Sequence, residues 1–133
     1  MKARQFAACA AIVAGIGITP SIAEISDGTI KLGVLTDMAG VYADISGKGT
    51  IVATQMAVDD CLKAECAGMK IEVLSADHQN KPDIGVNKAR EWIDTTGVDV
   101  LVDMSNAALQ LAIAPLVKEK DRMALFAGGT ARL

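Results

Sequence analysis

A chain of 133 residues that is 51% apolar but only 3% aromatic can bury a core, and that core must be aliphatic, built from Ile, Val, Leu, Met and Ala. The net charge of −3, spread without runs, gives no electrostatic footprint for nucleic acid or an anionic membrane. One His and three Cys offer no set of ligands for a metal centre.

The chain opens with Lys2 and Arg4, an uncharged apolar run from Phe6 to Ile18, a break at Thr19-Pro20, and the small-residue tripeptide Ser21-Ile22-Ala23. This is the pattern of a secretory signal peptide (residues 1–23), cut after Ala23. The apolar run of about 13 residues is too short for a bilayer, which needs ~20. Cys9 comes before that run is finished, and Phe6-Ala7-Ala8 precedes it where lipidation wants an aliphatic residue, so it is not read as a lipid anchor. Residues 24–133 then form one small domain, expected in an oxidising compartment. Cys61 and Cys66 therefore carry two readings: a disulfide, if a helix ends near Ala64, or two half-buried thiols at a helix end.

Beyond the leader the periodicity alternates between strand and helix. Ile30–Asp37 reads as a strand, Met38–Gly49 as a glycine-marked loop, and Thr50 to about Glu65 as a helix with Ala53, Met56, Ala57 and Cys61 on one stripe. Gly68 closes it. Met69–Asp77 alternates as a second strand, and His78–Lys81 is a polar turn. Pro82 suits the first position of a second helix, striped by Gly85, Ala89, Trp92 and Ile93 and ended by Gly97. Val98–Val102 is a short, almost wholly apolar strand, expected to be covered on both faces. Leu109, Ala112, Ile113, Leu116 and Val117 stripe a third helix, with Lys118, Lys120 and Arg122 in its last turn. Pro115 falls inside it, which calls for a kink or a late start. Met123–Ala127 is the fourth strand. Such alternation with short connections specifies an α/β fold, a doubly wound parallel sheet. Gly128–Leu133 begins a strand-to-helix loop with no helix after it, so the fourth strand is expected to keep an open edge and the chain reads as the first part of something longer.

In such sheets ligands bind at the carboxyl ends of the strands. Gly47-Lys48-Gly49-Thr50 lies there, but a phosphate-binding loop needs Gly-Lys-Ser/Thr contiguous, and Gly49 intrudes. No G-x-G-x-x-G follows the first strand, so Asp77 has no dinucleotide context. A phosphoacceptor receiver would use Asp103 and Thr130 but needs an acidic pair at the end of the first strand, where Asp37 stands alone. His78 reads as a solvated or turn-bonding histidine, and with no nucleophile elbow the chain is not read as an enzyme. What remains is uncharged. Ser105 and Asn106 stand where the third helix begins, able either to cap it or to offer an anion the N–H groups beside them. Gly129 and Thr130 end the neighbouring strand, and Tyr42 lies in the first loop, to pack there or to wall a ligand.

These residues resemble the type I periplasmic substrate-binding proteins of ABC transporters, in the leucine/branched-chain amino-acid-binding group. The resemblance runs through Gly33-Val-Leu-Thr-Asp-Met-Ala-Gly40, Tyr42, Gly47-Lys-Gly49 and Met56-Ala-Val-Asp59. It continues through Ile71–Asp83, Ala89-Arg90, Trp92-Ile-Asp94, Gly97–Val102 and Ala127-Gly-Gly-Thr130, covering nearly all of residues 28–133. It implies two lobes that close on a small solute and deliver it to an inner-membrane permease from the periplasm, as a monomer, without a cofactor and without chemistry on the ligand. Residues 24–133 correspond to part of the N-terminal lobe, roughly the first third of a complete member. The ligand carboxylate of the family falls here on Ser105, Asn106, Ala107 and Ala108 and on Gly129 and Thr130, with Tyr42 as the aromatic of the first loop. Where many relatives have Asn-Ser, this chain has Asn106-Ala107, one hydroxyl fewer. Amino acids, amides, urea and aromatic acids all occur as ligands among relatives. A receptor's extracellular sensing domain of the same fold is the alternative reading.

Overall fold

The computed structural model describes residues 28–129; the leader 1–23 and Thr130 lie outside them. The elements follow as β1 (Ile30–Thr36), α1 (Gly47–Lys63), β2 (Ile71–Asp77), α2 (Pro82–Glu91), β3 (Val100–Asp103), α3 (Ala107–Glu119) and β4 (Met123–Phe126). All strand pairs are parallel, in the order β2-β1-β3-β4. β1 is central: Leu32 faces Val73 on one side and Val100 on the other. The chain steps from β1 to β2 in one direction and back across to β3 in the other. Right-handed crossovers then place α1 on one face and α2 and α3 on the opposite one, and α1 packs on β1 and β2 while α2 packs on α3 and β1.

The apolar core fills the α2/α3 side. Leu35, Leu101, Met104, Leu109 and Ile113 are wholly buried there, with Trp92, Ile93 and Leu116 around them. Trp92 sits close under β1, where a Cβ on Gly33 would stand 2.8 Å from its ring. Only glycine lets an indole approach the sheet this closely. Trp92–Thr96 continues α2 as a π-helical turn, closed by Gly97 in the left-handed conformation.

Several expectations are corrected. α1 begins at Gly47 rather than Thr50, because glycines 47 and 49 are poor helix formers by propensity yet are accommodated here. Its inward stripe is Ile51, Thr54, Val58, Cys61 and Leu62, while Ala53, Met56 and Ala57 face outward. The helix carries apolar residues on two adjacent stripes, and packing buries the one with the bulkier side chains. β3 is not covered on both faces. Leu101 and Asp103 are buried, but Val100 and Val102 are only half-buried, because α1 stands over β1 and β2. α3 has no late start: it runs from Ala107 through Pro115. Pro115 is on the exposed side, where water can satisfy the carbonyl that the ring leaves without a donor. Of the three basic residues expected in its last turn, only Lys118 is there; Lys120 instead pairs with Asp94 at 2.8 Å.

Candidate functional site

The strand order changes direction between β1 and β3, and the crevice outside their carboxyl ends is where a doubly wound sheet offers a ligand site. Two acids shape its rim. Asp37, fully buried, accepts the N–H of Gly40 at 2.7 Å and of Tyr42 at 3.0 Å. A Cβ on Gly40 would stand 2.5 Å from that carboxylate, so the clamp requires glycine. Asp77 accepts the N–H of Met38 at 3.0 Å and of Gln79 at 2.7 Å, tying the loop after β1 to the turn after β2. Both acids hold loops.

Ser46 links that loop to the start of α3. As the residue before α1 it makes no capping bond with its side chain. Its Oγ lies 3.2 Å from the Tyr42 carbonyl and 3.2 Å from Ser105 Oγ, and Thr36 Oγ1 is 3.4 Å away. Tyr42 and Ser105, 63 residues apart by number (105 − 42), thus share one neighbour. Asn106 caps α3 by accepting the Leu109 N–H at 3.0 Å, and its Nδ2 donates to Asn80. Its side chain is thereby engaged at both ends, as a clasp between two loops. Ala107 and Ala108 are exposed and head the helix, where no carbonyl of an earlier turn reaches their N–H groups. Gly129 is exposed at the end of β4.

Beneath these residues lies a polar cluster that sequence reasoning missed. Asp103 and Met104 both have left-handed backbone, at φ 82° and 57°, which costs roughly 1–3 kcal/mol each for non-glycine residues. Strand alternation would aim Asp103 at the apolar side with Leu101. It lies instead among the hydroxyls of Thr36, Thr50 and Ser46. The residue is fully buried, and neither carboxyl oxygen makes a hydrogen bond of good geometry. Burial pushes the carboxyl above its ordinary range, against the opposing pull of those hydroxyls and of His78. His78 is not solvated, as one of its two readings had it, but fully buried. Its Nδ1 accepts the Asn80 N–H at 3.1 Å, so the neutral ring carries its proton on Nε2, which has no partner. Burial lowers its pKa, opposed by Asp37, Asp103 and Asp77. Ser46 and Thr50 also line an open groove of about 520 Å³ along α1. Among the described residues no three His, Cys, Asp or Glu side chains could hold a metal ion. No described helix is long and apolar enough to cross a membrane.

A periplasmic binding protein family model matches residues 29–132. The chain belongs to that family. Its members are transporter solute-binding proteins, not enzymes. A periplasmic binding protein from Burkholderia mallei is 44% identical, with a TM-score of 0.72, over 79% of this chain and 28% of that one. A branched-chain amino acid ABC transporter periplasmic ligand-binding protein from Burkholderia xenovorans LB400 is 43% identical, with a TM-score of 0.71, over 77% and 27%. A solute-binding protein of an ABC transporter from Rhodopseudomonas palustris BisB5, in complex with 3,4-dihydroxybenzoic acid, is 28% identical, with a TM-score of 0.63, over 79% and 29%. No protein of curated function matches the chain. The chain thus spans less than a third of the length of these relatives. The parallel four-stranded sheet with its helices is the type I fold of the family, present here in part.

Proposed function

We propose that this chain supplies one wall of the ligand cleft in an exported, periplasmic solute-binding component of an ABC importer, which hands a small carboxylate to a membrane permease. The observation that carries this reading is Ser105 at the switch point, its hydroxyl held by Ser46 beside the exposed N–H groups heading α3. A hydroxyl and helix-heading N–H groups suit a carboxylate, since the helix dipole adds its positive end. Ser105, Ala107 and Ala108 are the contacts; Asn106 positions them, Tyr42 supplies an aromatic side, and Gly129 with Thr130 borders the site. One relative serves a branched-chain amino acid transporter and another holds 3,4-dihydroxybenzoic acid; both kinds of ligand carry a carboxylate that such a site would anchor. A pocket must bury most of a small ligand to hold it tightly, so this wall alone binds weakly.

The test is a titration of the protein with leucine, isoleucine and 3,4-dihydroxybenzoate, followed by the amide resonances of residues 105–108. At least one carboxylate should shift the Ala107 and Ala108 signals, and Ser105→Ala should weaken that binding about tenfold, the value of one hydrogen bond to a charged group. Folded protein whose Ala107 and Ala108 signals ignore all three acids would refute the site.

A further inference from the structure

The turn after β2 holds the head of α3 through hydrogen bonds in series. Asn106, which caps α3, accepts the Leu109 N–H at 3.0 Å. Its Nδ2 donates to the side-chain oxygen and the carbonyl of Asn80. The Asn80 N–H donates to Nδ1 of the buried His78 at 3.1 Å. His78 is fixed by its own backbone: its N–H reaches the Thr36 carbonyl at 2.9 Å, and its carbonyl takes the Lys81 N–H at 2.8 Å. We propose that Asn80 is a positioning residue for the carboxylate site and that His78 gates it. With His78 neutral the turn holds Asn106 and the N–H groups heading α3; protonation of His78 releases them.

The donor count supports the direction of each bond. An Asn amide has two N–H donors and one acceptor oxygen. With Nδ2 of Asn106 set against two oxygens of Asn80, its Oδ1 faces the helix and takes the Leu109 N–H. The Gln110 N–H bonds the Asn106 carbonyl at 3.0 Å. The Ala107 and Ala108 N–H groups are thereby left for a ligand, aimed by the residue that Asn80 holds. Nδ1 of a neutral imidazole accepts here, whereas both ring nitrogens of an imidazolium donate. On protonation the Asn80 N–H meets another N–H, and an attraction becomes a repulsion.

The turn is poised to respond. Gln79 and Asn80 both have left-handed backbone, at φ 53° and 54°, a strained state for residues other than glycine. Asp77 holds the Gln79 N–H at 2.7 Å, and His78 holds that of Asn80. Loss of the second acceptor lets the strain relax, and the Asn80 oxygens withdraw from Asn106. Burial keeps His78 neutral near pH 7, against the pull of Asp37 from the end of β1, Asp103 from the end of β3 and Asp77 from its own strand. The gate therefore opens below the ordinary 6.5, and carboxylate affinity falls as the solution acidifies.

This inference rests on the carboxylate site proposed above, and its test separates the two. The first arm needs no ligand. Amide resonances of the folded protein are followed from about pH 7.5 to about pH 5. The Asn80 N–H, the Asn106 side-chain NH2 and the Ala107 and Ala108 N–H groups should shift with one midpoint, that of the His78 ring. Asn80→Gly keeps the left-handed turn without steric cost but lacks the side-chain acceptor, and there the α3 signals should lose that midpoint. Asn80→Asp restores an acceptor and should restore it. Midpoints that differ from that of His78, or an Asn80→Gly that titrates like the wild type, overturn the proposal and leave the site reading intact. The second arm measures affinity for leucine, isoleucine and 3,4-dihydroxybenzoate over the same range. An acid that binds should bind more weakly on acidification, by tenfold per pH unit at most. At pH 7.5 Asn80→Gly should weaken it about two- to tenfold, the value of one hydrogen bond. Asn106→Ser, which still caps but cannot donate to Asn80, should lose as much, and the double variant no more. Wild-type affinity in Asn80→Gly, with only its melting temperature lowered, makes Asn80 structural and overturns its role; an affinity that does not fall with acid overturns the gate. If none of the three acids moves Ala107 or Ala108, the site reading fails and this proposal with it.

Discussion

His78 reports on the folded state through its proton. In the unfolded chain an imidazole takes up a proton near its ordinary pKa of 6.5, whereas burial holds the folded one below it. The unfolded state therefore binds more protons as pH falls, and the stability that neutral His78 contributes is lost below about pH 6.5. Asp103 has the opposite sense. Its folded pKa lies above the ordinary 3.8, so its contribution is complete below that value and is lost as pH rises through the folded pKa. As pH falls below about 6.5 the wild type should lose more melting temperature than His78→Gln does, since the opposite contribution of Asp103 is common to both. An equal acid loss in His78→Gln, measured by calorimetry, would assign the effect elsewhere. Asp103 itself was not legible as a structural acid. Its residue type at a strand end matched a phosphoacceptor position, and what distinguishes it is the left-handed backbone and three hydroxyls drawn from β1, α1 and the loop between them.

At the scale of elements, Cys61 and Cys66 close a disulfide with their Cα atoms 5.0 Å apart. α1 ends at Lys63, between them, and the Cys66 N–H bonds the Cys61 carbonyl at 2.8 Å. So short a loop removes only about 2 kcal/mol of chain entropy from the unfolded state. Reduction should lower the denaturation free energy by about that amount and leave β1 and β2 intact; free thiols in unreduced, folded protein would show that the bridge does not form. Element order was readable because period-two and period-3.6 patterns alternate cleanly, and β1 to β4 fall where the alternation puts them. The inward face of α1 was not readable. Val52 and Met56 compete on paper with Ile51 and Val58, and only the sheet beneath decides. Asn106 was legible as a cap but not as a clasp, since Asn80 is 26 residues away. Ser46 carried no signal: it fell inside the loop read over Met38–Gly49, and here its hydroxyl reaches the Tyr42 carbonyl and Ser105.

For the molecule as a whole, the α1 side of the sheet is the weak one. β4 is an edge strand, with Met123 and Leu125 at 58% and 55% exposure, and Val52 and Met56 are bare on α1. An apolar edge with unpaired backbone groups invites association. Residues 24–133 expressed alone should self-associate at high micromolar concentration, and Leu125→Lys should reduce this. Sedimentation showing a monomer at such concentrations for the unmodified chain would overturn the expectation. The central position of β1 has a consequence in time. One edge of β1 waits for β2, and the other is closed by residues such as Asp99, whose carboxylate takes the Lys31 N–H across 68 positions of sequence. At synthesis rates of ~5–20 residues per second, that partner arrives roughly 3–14 s after β1. Long-range parallel pairing is slow even when every strand is present. The first strand made thus keeps an open edge until β3 emerges, and the nascent sheet stays incomplete for seconds.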